Sequence, residues 1–190
     1  MKYFKPLYPF ILGWIILLVS QSFTSISLVN GILQLVLFAF VVCIPIWKTE
    51  RLSFVDIGWP WGLVVIGLVT ILLGEGYSWR VWAIGGTYLF IGLRMGLAAL
   101  MYWRKGYLQQ ELPRYQYQRL RWKRQGKTNI QMAMQVDAIM QGLANASFLA
   151  FPAFIIAANP NPYFSALEII GLLLWVAAFI AAKDCPFNEP

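Results

Sequence analysis

The groups able to do chemistry in this sequence are few, and most of them interrupt apolar stretches. Asp56 stands in Val55-Asp-Ile-Gly-Trp59-Pro-Trp-Gly62, Arg94 in Gly92-Leu-Arg-Met-Gly96, and Asp137 in a run that also holds Gln141. Glu168 lies near the start of the last apolar run. A charge inside a membrane-length apolar run marks a functional path by default, because it is costly there without a partner or water. The other reactive stretch is Trp103–Lys127, WRKGYLQQELPRYQYQRLRWKRQGK, which holds eight of the fifteen Lys and Arg residues and a single acid, Glu111. Its Arg forks suit a pyrophosphate or 2′-phosphate. The plainer reading is a topology signal that also grips anionic headgroups, at about 1 kcal/mol per basic residue. The chain has no His, which excludes an ordinary zinc site and Ser-His or Cys-His nucleophiles. No metal site is expected, and the catalytic residues stay unknown at this stage. No glycine-rich fingerprint follows a strand, so a nucleotide site would have to be built from helices and loops.

These groups must be positioned by membrane spans. A content of 59% hydrophobic and 12% charged residues does not fit a soluble globule. Nine Trp, nine Tyr and thirteen Phe suit membrane interfaces. The apolar runs predict an all-α membrane protein, a single domain over 1–190 with about six transmembrane helices. The basic loop falls between the fourth and fifth. The first run begins after Lys2 and Lys5. A signal peptide shares that positive start, but QSFTSIS offers no small-x-small cleavage site, so the run is read as a span reaching about Ile26. The second covers Leu28–Trp47. The third, Trp59–Leu73, is too short to cross unless Phe54–Ile57 join it, which brings Asp56 to the membrane boundary. The fourth covers Val81–Trp103, the fifth Ile130–Ala158, and the sixth Tyr163–Ala182.

Charge fixes the orientation. With the amino terminus inside, Lys2, Lys5, Lys48, Arg51, the eight loop cations and Lys183 share the cytosolic side, and Arg80 is alone outside. The positive charge is therefore topological, and nucleic acid is not an expected partner. Cys43 lies in an apolar run and Cys185 near the end of the sequence, so no disulfide is expected. Within the loop, Pro113 suits a helix start and Gly126 a helix end.

Two readings stay open at several positions. Asp56 is either a cavity group or a helix-start acid beside the interfacial Trp59 and Trp61. Gly92 and Gly96 permit close helix contact. Arg94, roughly 13 Å below the inner surface at about 1.5 Å per residue, needs a carboxylate or water, with Asp137 the nearer partner and Asp56 the second.

The combination of VDIGWPWG, Arg94 in the next span, Arg104-Lys-Gly106 leading to Glu111-Leu-Pro-Arg114-Tyr115, and Gln141 followed by Pro152 resembles the DUF1295 family over 55–184. That family is related to the steroid 5-alpha-reductases and membrane sterol reductases. The resemblance implies an NADPH-dependent reduction of C=C bonds in enone or steroid-like lipids. It implies Asp56, Trp59, Arg94, Asp137 and Gln141 at the substrate cavity, and Arg104, Arg114, Tyr115 and Asp184 near the cofactor. One acid of the family's loop is replaced by Leu112. Relatives also continue beyond the sixth span, through an RHPNY-like motif and further helices. The expectation is therefore a shortened reductase, inactive alone, with a partner chain supplying the missing helices. The alternative is a non-catalytic lipid-binding or assembly protein in contact with membrane lipids. A small transporter is a third reading, but no inverted repeat or pair of broken helices supports it. The expected location is a bacterial inner membrane. Single cysteines placed in 103–127 should be shielded from impermeant reagent in intact cells, and labelling from outside would refute this orientation.

Overall fold

The computed structural model describes residues 3–163 and 165–183, so Asp184 lies outside the described residues. Among these residues there are helices and no strands, as expected where lipid leaves backbone groups no partner but one another. Two compact units are present, residues 1–159 and 160–190. In the first lie α1 (Tyr8–Val19), α2 (Thr24–Thr49), α3 (Val55–Leu73), α4 (Ser78–Arg104), α5 (Pro113–Arg124) and α6 (Ile130–Ala157). The second holds α7 (Ala166–Lys183), where Ser165 and Glu168 form a reciprocal cap, each side chain accepting from the other's backbone N–H.

Four helical segments are long and apolar enough to cross a membrane: Thr24–Thr49, Leu52–Leu73, Ser78–Arg104 and Ile130–Ala157. The first and last apolar runs form shorter helices, Lys5–Val19 and Ala166–Ala181. The first ends at Val19, well before Ile26, which is already inside α2. Ser20 leaves the helix with extended backbone, and Thr24 donates its hydroxyl to the carbonyls of Leu18 and Ser20. The third run recruits the residues it needed, and Asp56 stands in the first turn of α3. Arg80, placed in an outer loop by charge counting, lies instead in the first turn of α4 and is buried.

α3 is the axle of the first unit, with 56% of its apolar window buried against 17% for α4. Toward the basic loop, Val55 joins Phe38, Val42 and Ile46 of α2, Ala133, Met134 and Ala138 of α6, and Trp122 of α5 in one core cluster. Toward the far end, Ile66 and Val69 pack with Ile26 of α2 and Ala150, Ala153 and Phe154 of α6. Prolines shape three spans. Pro60 lacks the N–H that would bond the Asp56 carbonyl one turn back. A π-helical turn, Ala39–Cys43, precedes Pro45 in α2, and another, Asn145–Leu149, precedes Pro152 in α6.

α4 meets α3 through glycine. A Cβ on Gly92 would stand 2.8 Å from the Pro60 carbonyl oxygen and the Val64 nitrogen. One on Gly67 would stand 2.7 Å from the Gly85 carbonyl oxygen. Backbone cannot yield as a side chain does, so Gly92→Ala should destabilise the fold by about 1–3 kcal/mol. Gly86 on the same helix has nothing within 4 Å, so Gly86→Ala should be neutral or stabilise by up to about 1 kcal/mol. Thermal midpoints in detergent check both, and equal effects would remove the glycine crossing as a constraint.

Candidate functional site

The site is assembled by the loop between α4 and α5 folding back onto the start of α3. The chain leaves α4 through Gly106, whose φ of 82° is left-handed backbone that glycine adopts without strain. A 3-10 turn over Tyr107–Gln109 follows. Arg51 then donates to the Leu108 carbonyl oxygen at 2.8 Å. Glu111 is the main anchor. Its carboxylate accepts from the backbone N–H groups of Leu52 (2.7 Å) and Ser53 (3.1 Å) and from the Ser53 hydroxyl (2.5 Å). The N–H groups at a helix start have no partner in the helix, and a negative charge there is favourable.

That anchor sets the next turn. Pro113 starts α5, which brings Arg114 and Tyr115 onto Asp56. Arg114 forms an ion pair with Asp56, and the Tyr115 hydroxyl donates to Asp56 Oδ1 at 2.6 Å. The Arg114 guanidinium also lies 4.9 Å from the centre of the Tyr115 ring. Deeper along α3, Trp59 Nε1 donates to Gln141 Oε1 of α6 at 2.5 Å.

These five residues, Asp56, Trp59, Arg114, Tyr115 and Gln141, line one cleft of about 820 Å³. Its remaining wall is apolar: Val55 and Pro60 of α3, Met95, Ala98, Ala99 and Tyr102 of α4, and Tyr107, Leu108 and Leu112 of the loop. It is an apolar trough with a polar end. The other candidates lie elsewhere. Asp137 lines a second cavity, of about 400 Å³, with Tyr3, Arg121, Trp122 and Lys127. Arg104 lines a third, of about 370 Å³, with Arg51, Phe54 and Gln109, and this one shares Leu108 with the main cleft. Arg94 is exposed on α4 and is not among the cleft residues. The reason is rotational: Gly92 and Gly96 face α3, and a residue two positions from each points away from it. The cation on Asp56 is therefore Arg114 rather than Arg94.

Sequence reasoning missed Glu111 as the anchor, although its isolation among eight cations was a signal. It also missed the α4 wall, where small residues at 98 and 99 leave the room that the cleft occupies.

Electrostatics at the polar end follow from the shared carboxylate. Hydrogen bonding to Asp56 raises the Arg114 pKa further, against the opposing effect of burial. Burial first, then the hydrogen bond and charge of Asp56, push the Tyr115 phenol far above its ordinary value of 10.0. The folded protein thus keeps the Tyr115 proton where the unfolded chain releases it. This contribution is complete below about pH 10 and is lost as pH rises further. Between about pH 9 and about pH 11, the thermal midpoint should fall more steeply for the wild type than for Tyr115→Phe. Equal slopes would remove Tyr115 from this role.

A family model described as "Protein of unknown function (DUF1295)" matches residues 39–184. No curated protein and no solved structure matches the chain. The match spans α3, the basic loop and α6, the elements that build the cleft. On that span, the chain belongs to the DUF1295 family.

Proposed function

We propose that this membrane protein binds an apolar lipid with a carbonyl at one end, an enone or steroid-like molecule, and reduces it with NADPH. The observation that carries this reading is the cleft: mostly apolar walls along α3 and α4, with Asp56, Arg114 and Tyr115 bonded to one another in its lining. Such a shape suits a long apolar body and one polar group. Tyr115 spends its only O–H on Asp56. Arg114 has donors beyond the one paired with Asp56, so it is the group that would hold a ketone oxygen as negative charge develops there. Asp56 fixes Arg114 and compensates its charge.

The donor set fits a phosphate-bearing cofactor beside this cleft. Arg51 and Arg104 line the neighbouring cavity, separated from the trough by Leu108, and would take the phosphates. When bound, NADPH supplies the hydride. This reading puts the basic loop and the amino terminus on the cytosolic face of a bacterial inner membrane, where such a cofactor is available.

Binding of a radiolabelled apolar enone to the purified protein, with NADPH oxidation followed in parallel, tests the proposal. Ala98→Trp, which narrows the cleft, should weaken enone binding by about 10-fold or more without lowering the thermal midpoint. Arg114→Ala should weaken binding about 10-fold, as expected for loss of one charge-assisted hydrogen bond. Enone-dependent oxidation supports the reductase reading. Binding without oxidation supports the lipid-binding reading, and no effect of Ala98→Trp on binding would overturn both.

A further inference from the structure

The second cavity, of about 400 Å³, shares no lining residue with the cleft, and the reaction proposed above makes no use of it. Its size falls within the range of about 300–1,000 Å³ that small-ligand sites occupy. It forms where Tyr3 and Pro6 of the amino-terminal segment meet the end of α5 and the first turns of α6.

The ending of α5 builds one part of its lining. Gly126 takes left-handed backbone, with a φ of 68°, and the Lys127 N–H returns to the Trp122 carbonyl oxygen at 3.0 Å. This is the hydrogen bonding of a glycine-terminated helix. The turn sets the Lys127 ammonium over two ring faces, 5.3 Å from the centre of Trp122 and 5.7 Å from that of Tyr3. The Tyr3 hydroxyl accepts from the Asn129 N–H at 3.1 Å, which ties the amino-terminal segment to this turn. Arg121, exposed near the end of α5, lines the same cavity. α6 contributes Asp137, half-buried and about 10 Å into the helix from Ile130 at about 1.5 Å per residue. Among the described residues, no ion pair joins Asp137 to Arg121, Lys127 or another cation.

One cavity thus presents two cations and a carboxylate that do not close on one another. A purely anionic ligand would meet Arg121 and Lys127 but be repelled by Asp137. A purely cationic one would meet Asp137 and be repelled by both cations. A molecule carrying the two signs on separate groups satisfies all three. Arg forks and Lys both suit phosphate, the anion that a basic loop meets at a membrane surface. The cation is selected by what is left to bind it. Ring faces cage quaternary ammonium groups, but Lys127 already covers these two. A carboxylate accepts hydrogen bonds, which a primary ammonium donates and a quaternary one cannot. We propose that this cavity binds a phosphoethanolamine group, its phosphate on Arg121 and Lys127 and its ammonium on Asp137. The group occurs both as a phospholipid headgroup and as the free ester. The site does not depend on what the cleft binds.

Native mass spectrometry of the purified protein in uncharged detergent tests this, with dihexanoyl phosphatidylethanolamine, phosphatidylcholine and phosphatidylglycerol as probes. The ethanolamine lipid should bind about 10-fold or more tightly than either of the others, the factor that one charge-assisted hydrogen bond supplies. Asp137→Asn should weaken the ethanolamine lipid by about that factor and strengthen the glycerol lipid, since one carboxylate attracts the first and repels the second. Damage to the fold would move both lipids in one direction. Arg121→Gln should weaken all three. Equal binding of the three lipids by the wild type, or a shift of the ethanolamine and glycerol lipids in the same direction in Asp137→Asn, would overturn the proposal. If Asp137→Asn does not fold, the wild-type ranking decides it. Free phosphoethanolamine separates the two sources: displacement of the bound lipid shows that the ester alone fills the site, and no displacement assigns the site to the lipid headgroup.

Discussion

A carboxylate at the edge of an apolar bundle must have its charge met, and Asp56 has it met twice from one direction. Arg114 and Tyr115 both arrive on the first turn of α5, and they can do so only because Glu111 has already fastened the loop to the first turn of α3. The two acids divide the task. Glu111 satisfies backbone N–H groups that a helix start leaves open, which fixes position. Asp56 satisfies side chains, which fixes orientation. Neither contact alone would turn a basic loop into the wall of a cleft.

The opposite wall comes from a different physical source. α4 presents little of its surface to the interior, and its attachment to α3 is steric: glycines on both helices let the backbones meet. Beyond Gly92, the trough runs between the start of α3 and the Met95, Ala98, Ala99 and Tyr102 side of α4. Apolar walls and a charged end thus come from separate segments, one held by packing and the other by hydrogen bonds.

Much of this was legible in the sequence. Apolar run lengths located the helices, and the recruitment of Phe54–Ile57 into the third run was forced by length alone. The resemblance singled out Asp56 and Gln141 for the substrate cavity and Arg114 and Tyr115 for the cofactor, and it is the structure that brings all four to one cleft. Spacing by itself could not have brought together residues from three helices. Arg94 shows where depth is a poor guide: its distance from the surface invited pairing, but rotation about the helix axis decides what a side chain can reach, and the glycines two positions away carried that information. The break at Ser20 was hidden because the flanking residues are apolar on both sides, so nothing in hydropathy marks where one helix ends and the next begins. The count of six spans rested on hydropathy too, and only four described helices have the length it assumed.

The glycine crossing has a mechanical corollary. From Gly92 to Arg104 the helix extends about 18 Å, at about 1.5 Å per residue, and along that length α4 is tied to the loop mainly at its tip. It is a lever with its fulcrum at Gly92. A change of about 10° in crossing angle would carry the tip about 3 Å, enough to turn a slot for a flat ring into one for a bulkier body. Residues near the fulcrum therefore govern the calibre of the trough without touching anything inside it, and substitutions there would alter which molecules enter.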